Sequence, residues 1–511
     1  MNEGTIIPLR SVGKLLPTNP ASDLASLIAA GLELGRNKPE ILERIDHDRD
    51  ALALRKKKER CEDQAWLMSR GQPFAGFELD GDEDWAEQLE LATGRPRMPA
   101  VMVLIFLLIR GYLGGFKDKK TAMILLESRT LESLFSGFGI NPPGLSTILD
   151  NVNAVTSDTL DFILDMQIMS VRKEKLDDFK KITVDSTDVE SNSVWPTDSG
   201  TISGLAHRAE HLIRGLTEFG IVLKLPVMAA EYLEEIEILH KRIQLSFGKK
   251  DSEKKRKKFY RKIIKIAKKL RKILLAALGR AENKRSSLEL MPSRSLRLMT
   301  RLEWIAVDLD NLKLAMDNAV QRVLQGGKVK TEKKILSLSD EDAAMIVKGG
   351  REPTLGYKPQ VARSESGFVT AIIVPEGNAS DSGQLRPIVD KSMKCTGVKP
   401  SILSFDDGYT NGEDRDHYLA LKIKVVSFSG SKGKRLIPSE EYESKAYIKA
   451  RNDRSAVEST IFVLKHNHGF DRVMRRGIDN VRSELLEKAI AHNFFRIISL
   501  REIRQKILKS A

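Results

Sequence analysis

Hydrophobic positions in the first third of the chain recur at intervals of three and four residues, the spacing of amphipathic helices. Pro39 stands where a proline suits the first turn of a helix, and glycine and proline pairs at 114–115 and 141–144 are turn signals. The pattern predicts helices at 21–36, 39–70, 101–109, 119–128 and from 146 to about 171, with a linker at 71–84. Short helices joined by such turns are typical of small DNA-binding units and also of ordinary helical bundles.

The pattern changes at residue 181. Residues 181–187 are rich in β-branched side chains and alternate between apolar and polar, which predicts a strand with Asp185 at its end, facing solvent. Helical spacing returns over 204–319. The chain beyond it predicts a hairpin of strands at 357–363 and 368–375, a helix at 382–395, strands at 401–405 and 425–428, and helices at 451–468 and 480–508. Strands on both sides of a long helical block indicate an α/β domain with an insertion.

Composition narrows the class of protein. The 511 residues include 84 Lys and Arg against 70 Asp and Glu, a net charge of +14, so a polyanion such as nucleic acid is a plausible partner. The two cysteines, Cys61 and Cys395, exclude a disulfide framework and a four-cysteine zinc site. The longest apolar run, 98–109, is too short to span a bilayer, and residues 1–20 lack the pattern of a signal peptide. We therefore expect a cytoplasmic protein without a membrane segment.

Three acidic residues are candidates for chemistry. Asp185 and Asp406 each follow a hydrophobic strand, and Glu458 lies on a predicted helix. Arg454 and Lys465 share the polar face of that helix with Glu458. Three converging carboxylates repel one another unless cations neutralise them, and all-oxygen ligation suits Mg²⁺ or Mn²⁺. Two such ions can activate an attacking hydroxyl and stabilise the leaving oxygen in phosphodiester chemistry.

These residues belong to an ordered set of motifs. Asp185-Ser186-Thr187 follows a strand, Trp195–Ser199 comes next, and Glu376–Asp381 follows the hairpin. Phe405-Asp406-Asp407-Gly408-Tyr409 comes after the next strand, and Arg454-x3-Glu458-x6-Lys465 precedes His468–Arg472. The chain from about 98 to 498 resembles bacterial insertion-sequence DDE transposases of the Tyr-Arg-Glu-Lys signature group.

The resemblance implies an α/β, RNase H-like catalytic domain with a large, mostly helical insertion, preceded by all-α N-terminal regions. Asp185, Asp406 and Glu458 would be the catalytic residues and would bind Mg²⁺ or Mn²⁺, two ions in all. The reaction would be hydrolysis at the transposon end followed by transfer of the exposed 3′-OH to target DNA. The expected partners are double-stranded DNA, at terminal inverted repeats and target, and a second copy in a homodimer, in the bacterial cytoplasm with the nucleoid.

The same resemblance divides the chain into segments. They are an N-terminal helical region with linker (1–95), a helical DNA-binding domain (96–175), the first part of the catalytic domain (176–200), a basic helical insertion (201–350) and the remainder of the catalytic domain (351–511).

Some positions depart from the family pattern or leave alternatives open. Arg451 stands at the tyrosine of the signature, and Asp407 beside Asp406 is a rival for the second ligand; we prefer Asp406, which keeps the spacing to Gly408-Tyr409. A catalytically inactive, transposase-derived DNA-binding regulator is the main alternative function. A host RNase H-like nuclease is a third, although it would not need the long N-terminal regions.

Other motifs have simpler interpretations. Asn378 and Asp381 are expected to cap the helix that starts near 382. Trp195 is expected to pack, with base stacking as the alternative. His207 and His211 fit the H-x-x-E-H sequence motif of one group of zinc proteases. No third zinc ligand is evident in the sequence, so we reject a zinc site there.

A basic helix is predicted at 249–272, with an apolar stripe at Phe259, Ile263, Ile266, Leu270 and Ile273. Its lysines, including Lys254, Lys255, Lys257 and Lys258, form either a solvated face or a surface that binds DNA phosphates without reading bases. We favour DNA binding, and we also expect Arg454 and Lys465 to contact DNA or the active site.

Overall fold

The computed structural model describes residues 23–70, 97–115, 128–247, 252–347 and 352–510. The chain divides into two compact units. The first contains the described parts of 1–52, 94–193 and 342–511, and the second those of 53–93 and 194–341. The predicted linker at 71–84 and nearly all of the predicted helix at 119–128 lie outside the described residues.

The helices and strands are named in chain order. The helices are α1 (Asp23–Asn37), α2 (Pro39–Met68), α3 (Ala100–Tyr112), α4 (Arg129–Gly137), α5 (Leu145–Asn153), α6 (Ser157–Lys173), α7 (Asp198–Arg214), α8 (Val227–Gln244), α9 (Ser252–Arg285), α10 (Pro292–Ala319), α11 (Leu385–Thr396), α12 (Gly412–Ala420), α13 (Ser431–Leu436), α14 (Ser439–Tyr442), α15 (Lys445–Asp453), α16 (Ala456–His468) and α17 (Ile478–Ser510). The strands are β1 (Lys181–Ser186), β2 (Val189–Glu190), β3 (Ala344–Ile346), β4 (Thr354–Tyr357), β5 (Gln360–Ser364), β6 (Val369–Ile373), β7 (Ile402–Phe405) and β8 (Val425–Phe428).

A mixed five-stranded sheet organises the first unit, in the order β6-β5-β1-β7-β8. The β5–β6 hairpin and the β1–β5 pair are antiparallel, whereas β7 runs parallel to both β1 and β8. Ile182, Val184, Leu403 and Phe405 point into a core that helix α11 helps to cover. The α/β character expected from the sequence is therefore confirmed, and the described N-terminal residues are helical as expected.

The first unit also contains a second, three-stranded sheet that the sequence pattern did not predict. Its order is β2-β4-β3, and both pairings are antiparallel. The strands are two to four residues long, too short to establish an alternating pattern. Gly356 is required at this point because a Cβ there would lie 1.9 Å from the carbonyl oxygen of Val189.

Two predicted elements are interrupted in the structure. The strand expected at 357–363 is split between β4 and β5, because Pro359 lacks the N–H that a continuous ladder needs. The helix expected at 451–468 is broken between α15 and α16. There the amides of Arg454 and Val457 bond to carbonyls three residues back, which tightens the chain at the break.

Helices α7–α10 of the second unit pack around a core of their own. Helix α7 starts at Asp198, earlier than expected, because the Thr197 hydroxyl caps it by accepting from Gly200 N (3.1 Å). The stripe predicted for the basic helix is confirmed in α9: Ile263, Ile266 and Leu270 are buried, and Phe259 and Ile273 pack against the same core.

Long helices complete the first unit. Helix α17 is buried over much of its length, and Asn493 on it exchanges two hydrogen bonds with the backbone of Val369, which covers edge strand β6. On α3, Arg110 forms a bidentate pair with Glu487 of α17 (2.8 and 2.6 Å). No helix among the described residues has the length and hydropathy needed to cross a membrane.

Candidate active site

Asp185 lies on the central strand of the five-stranded sheet. It is not at the exposed end of β1 as expected, because the strand continues to Ser186, which pairs with Gln360 of β5. Its carboxylate therefore leaves the sheet from a largely enclosed position, and the residue is only 8% exposed. Burial of this kind makes a nearby positive charge necessary.

The two neighbouring aspartates after β7 have different partners. Asp406 accepts a hydrogen bond from the Ser429 hydroxyl (3.0 Å) and lies 4.0 Å from Arg454. Asp407 instead accepts from the backbone amides of Lys432 and Gly433 (2.9 and 3.0 Å), so it caps the first turn of α13. The geometry thus favours Asp406 over Asp407 as the residue that faces the other predicted carboxylates.

Arg454 brings the predicted carboxylates together. Its guanidinium bonds to Glu458 (2.6 Å) and lies 3.7 Å from Asp185 and 4.0 Å from Asp406. Arg454 directly follows α15 at the break between α15 and α16, four residues before Glu458. One cation therefore offsets the mutual repulsion of three carboxylates that come from β1, the end of β7 and α16.

Lys465 forms an ion pair with a fourth carboxylate, that of Asp188. Its ammonium lies 3.2 Å from Asp188, which follows β1 and also accepts from the Thr354 hydroxyl. Burial alone would raise the pKa of Asp188, but Lys465 and these hydrogen bonds outweigh burial and hold the pKa below its usual value. Lys465 thus ties α16 to the segment after β1.

A buried polar chain below the carboxylates was not found from the sequence. The Tyr409 hydroxyl donates to Gln360, whose amide donates to Asp381 (3.3 Å), and Asp381 pairs with Lys358 (2.9 Å). Burial, together with Asp381 and Asp185, raises the pKa of Tyr409 well above its usual value, so the phenol stays a donor. The sequence motifs contain Tyr409 and Asp381 but do not indicate that they are linked through Gln360, because the three residues are distant in sequence.

The capping role expected of Asn378 and Asp381 is wrong. A 3-10 turn at Asp381–Gln384 precedes α11, and no side chain caps it. Asp381 turns instead toward Lys358 and Gln360, because an ion pair in a half-buried setting satisfies its charge better than a single amide would.

The donor chemistry of the site fits a divalent cation. Asp185, Asp406 and Glu458 offer hard carboxylate oxygens, which Mg²⁺ and Mn²⁺ prefer. Within the described ranges, however, no three Asp, Glu, His or Cys side chains converge into a closed group that would hold an ion. The carboxylates are spaced around the guanidinium of Arg454, which supplies the positive charge.

The remaining predicted residues belong to the second unit. Lys254, Lys255 and Lys258 are exposed on α9, whereas Lys257 is half-buried and pairs with Glu253 (2.7 Å). Trp195 is exposed rather than packed in a core. His207 and His211 face solvent on α7, and Glu210 between them pairs with Arg214.

Residues 330–494 match the family model described as Transposase DDE domain. The resemblance to DDE transposases is confirmed. The matched segment includes Asp406, Arg454, Glu458 and Lys465, and Asp185 lies before it. Neither the comparison with curated proteins nor that with solved structures gave a match.

The contacts of Arg454 with the three carboxylates lead to a testable prediction. Replacing Arg454 with Gln leaves three carboxylates facing one another, so we expect the melting temperature in EDTA to fall by a few degrees, roughly 1–2 kcal/mol of stability. Addition of Mg²⁺ should restore much of the loss in the variant and change the wild type less. Differential scanning fluorimetry with and without Mg²⁺ measures both effects.

Arg451→Gln is the matched control, because Arg451 stacks on Tyr442 (4.5 Å) one turn earlier in the chain. Equal Mg²⁺ responses of wild type and Arg454→Gln would contradict the idea that Arg454 neutralises these carboxylates.

Proposed function

We propose that this protein binds the ends of an insertion sequence and catalyses metal-dependent cleavage and transfer of DNA strands at those ends. The observation that carries the proposal is the convergence of Asp185, Asp406 and Glu458 on the single guanidinium of Arg454. This arrangement occurs in a chain whose residues 330–494 match a transposase DDE domain.

The sheet supports an RNase H-like assignment for the catalytic domain. The antiparallel meander β1, β5, β6 is followed in sequence by β7 and β8, which run parallel to β1. The helical unit at 194–341 lies in sequence between the paired strands β1 and β5. We infer that it is an insertion into the catalytic domain, after the first long strand.

We infer that Asp185, Asp406 and Glu458 would hold the divalent ions. When bound, such ions supply Lewis-acid stabilisation of the reacting phosphate. The protein's own groups prepare the site: Ser429 fixes the Asp406 carboxylate, and the enclosed position of Asp185 limits access of water. Arg454 would turn to a DNA phosphate when metal neutralises the carboxylates. Because both ends must be cut together, we propose a homodimer on paired ends.

An excision assay tests the proposal. A plasmid should carry the gene together with its natural flanking DNA, with a selectable marker restored only when the element leaves. We expect excision to depend on an intact reading frame and on short inverted repeats in the flanks. Specific DNA binding without excision would favour the catalytically inactive regulator.

We also propose that helix α9 binds DNA phosphates. Exposed lysines line one face of this helix while its apolar stripe is buried, so charge can be removed without disturbing the core. Replacing Lys254, Lys255, Lys257 and Lys258 with Gln should weaken binding to specific and random duplexes by a similar factor. The dependence of log affinity on log salt should flatten by about 0.9 for each phosphate that the variant no longer neutralises.

Replacing the same four lysines with Arg is the control, since it keeps the charge. Fluorescence anisotropy at several salt concentrations gives affinity and slope together. An unchanged slope in the Gln variant would mean that this face of α9 is only solvated.

A further inference from the structure

The backbone ladder between β1 and β7 ends before the two predicted aspartates. Its last paired residues are Thr183 and Ser404, and Asp185 and Asp406 each lie two residues beyond them. On their outer sides the strands stay paired: β1 continues against β5 past Asp185, and the end of β7 pairs with β8. Backbone pairing between β1 and β7 therefore does not itself set the separation of the two carboxylates.

The side chain of Tyr409 bridges the two segments. Tyr409 ends the 3-10 turn after β7, and its amide donates to the carbonyl oxygen of Asp406 (3.1 Å). Its hydroxyl donates to Gln360 of β5, which pairs with Ser186, the neighbour of Asp185. Tyr409 and Gln360 are both fully buried. One side-chain hydrogen bond thus joins the turn that carries Asp406 to the strand pair that carries Asp185.

The amide of Gln360 is held in the orientation that this bond needs. Its Nε2 donates to Asp381 (3.3 Å), so its oxygen is the end that faces the hydroxyl of Tyr409. Asp381 pairs with Lys358 (2.9 Å) and lies directly against the turn, since a Cβ at Gly408 would come within 3.0 Å of its Oδ2. The ion pair therefore fixes Asp381, and Asp381 fixes the amide.

Arg454 does not replace this link. Its guanidinium lies near both aspartates, but in the proposed reaction Arg454 turns to a DNA phosphate once metal neutralises the carboxylates. The bond between Tyr409 and Gln360 is made by uncharged groups in the core, so neutralisation of the carboxylates leaves it in place. It can therefore hold the two segments together when metal is bound.

We propose that Tyr409 and Gln360 are positioning residues whose hydrogen bond sets the separation of the Asp185 and Asp406 carboxylates for binding of a divalent ion. The inference rests on the proposed function, in which these carboxylates hold metal. Mg²⁺ requires nearly ideal octahedral geometry at oxygen distances of about 2.0–2.1 Å, so a small relative shift of the two segments weakens its binding. Loss of a group that orients metal ligands typically costs about 10- to 100-fold in metal affinity or activity.

The test measures Mn²⁺ binding to the purified protein without DNA, by electron paramagnetic resonance. Tyr409→Phe removes only the hydroxyl, and we expect it to weaken Mn²⁺ binding about 10-fold. The Mg²⁺ concentration for half-maximal cleavage of an element-end junction should rise by a similar factor, while the rate at saturating Mg²⁺ should fall by less. Asp185→Asn should lose the signal of bound Mn²⁺, which assigns that signal to this site.

A double variant separates positioning from stability. Tyr409→Phe and Gln360→Met each leave a buried polar group with one partner fewer, so each should lower the melting temperature by a few degrees. The double variant removes donor and acceptor together, so it should regain part of that loss. Its Mn²⁺ affinity should stay as low as that of either single variant, because the two residues act through one bond.

Tyr418→Phe is the matched control. Tyr418 is as deeply buried as Tyr409, and its hydroxyl donates to Asp390 of α11 (2.9 Å). This variant should lose melting temperature without a change in Mn²⁺ affinity. Wild-type Mn²⁺ affinity in Tyr409→Phe and the double variant, or an equal loss of affinity in Tyr418→Phe, would overturn the positioning role alone. A wild type that binds no Mn²⁺ would overturn the proposed metal-dependent function and the positioning role with it.

Discussion

Asp185→Asn, Asp406→Asn and Glu458→Gln are each expected to abolish excision while leaving DNA binding largely intact. Each change removes one negative charge from the group around Arg454 but keeps the shape of the side chain. Loss of about 4 kcal/mol of transition-state stabilisation corresponds to about a thousandfold in rate, which takes excision to background. The plasmid assay measures the reaction, and a gel-shift assay measures the binding.

Asp407→Asn is the matched control for Asp406→Asn. Asp407 caps α13 through two backbone amides, so its replacement should lower stability slightly and leave excision measurable. An active Asp406→Asn protein together with an inactive Asp407→Asn protein would transfer the predicted ligand role to Asp407.

Glu487→Gln is expected to lower the free energy of unfolding by about 3–5 kcal/mol. Glu487 is fully enclosed and accepts from Arg110 (2.8 and 2.6 Å) and Arg475 (2.8 Å), so the neutral variant leaves two guanidinium groups with one poor acceptor. Urea unfolding followed by circular dichroism gives the difference. Glu502→Gln, at an exposed position of the same helix, should change stability by less than about 0.5 kcal/mol.

The ion pairs of Glu487 with Arg110 and Arg475 also predict how the stability of the protein changes with pH. Burial would raise the pKa of Glu487, but Arg110 and Arg475 outweigh burial and lower the pKa below 4.5. A carboxyl group whose pKa is depressed in the folded state contributes its full stabilisation of the fold above pH 4.5. This contribution is lost as the pH falls through the pKa of the group in the folded protein. The stability gap between wild type and Glu487→Gln should therefore shrink below pH 4.5. A gap that stays constant to pH 3 would contradict the ion pair.

The sequence predicts the strand that carries Asp185 and the strand that Asp406 follows, because both segments are short and rich in β-branched or apolar side chains. It also predicts the apolar stripe of α9, since every turn of that helix repeats the pattern. The break before α16 is not visible in the pattern, because Arg454 and Ser455 are ordinary helix residues and i→i+3 bonding is decided by packing. The strand break at Pro359 could have been predicted from the sequence, since proline cannot continue the ladder of backbone hydrogen bonds.

Local sequence patterns predict helices and strands better than they predict which side chains contact one another. Asp406 and Asp407 are adjacent and chemically identical, and only the position of α13 distinguishes the capping residue from the one that faces Arg454. The chain from Tyr409 through Gln360 to Asp381 joins residues about 50 and 20 positions apart in sequence. Such contacts arise when β5, the turn before α11 and the turn after β7 meet, and no single segment of the sequence encodes that meeting.

Cleavage of one DNA junction by the purified protein tests the central claim most directly. A labelled duplex should contain the boundary between the element's terminal repeat and its flanking DNA, with Mg²⁺ or EDTA in the buffer. We predict a strand break at the boundary in Mg²⁺ and not in EDTA, with a 3′-OH that a DNA polymerase can extend. A junction that stays intact in Mg²⁺ and in Mn²⁺ while the protein is bound to it, or that is cut equally in EDTA, would contradict the account.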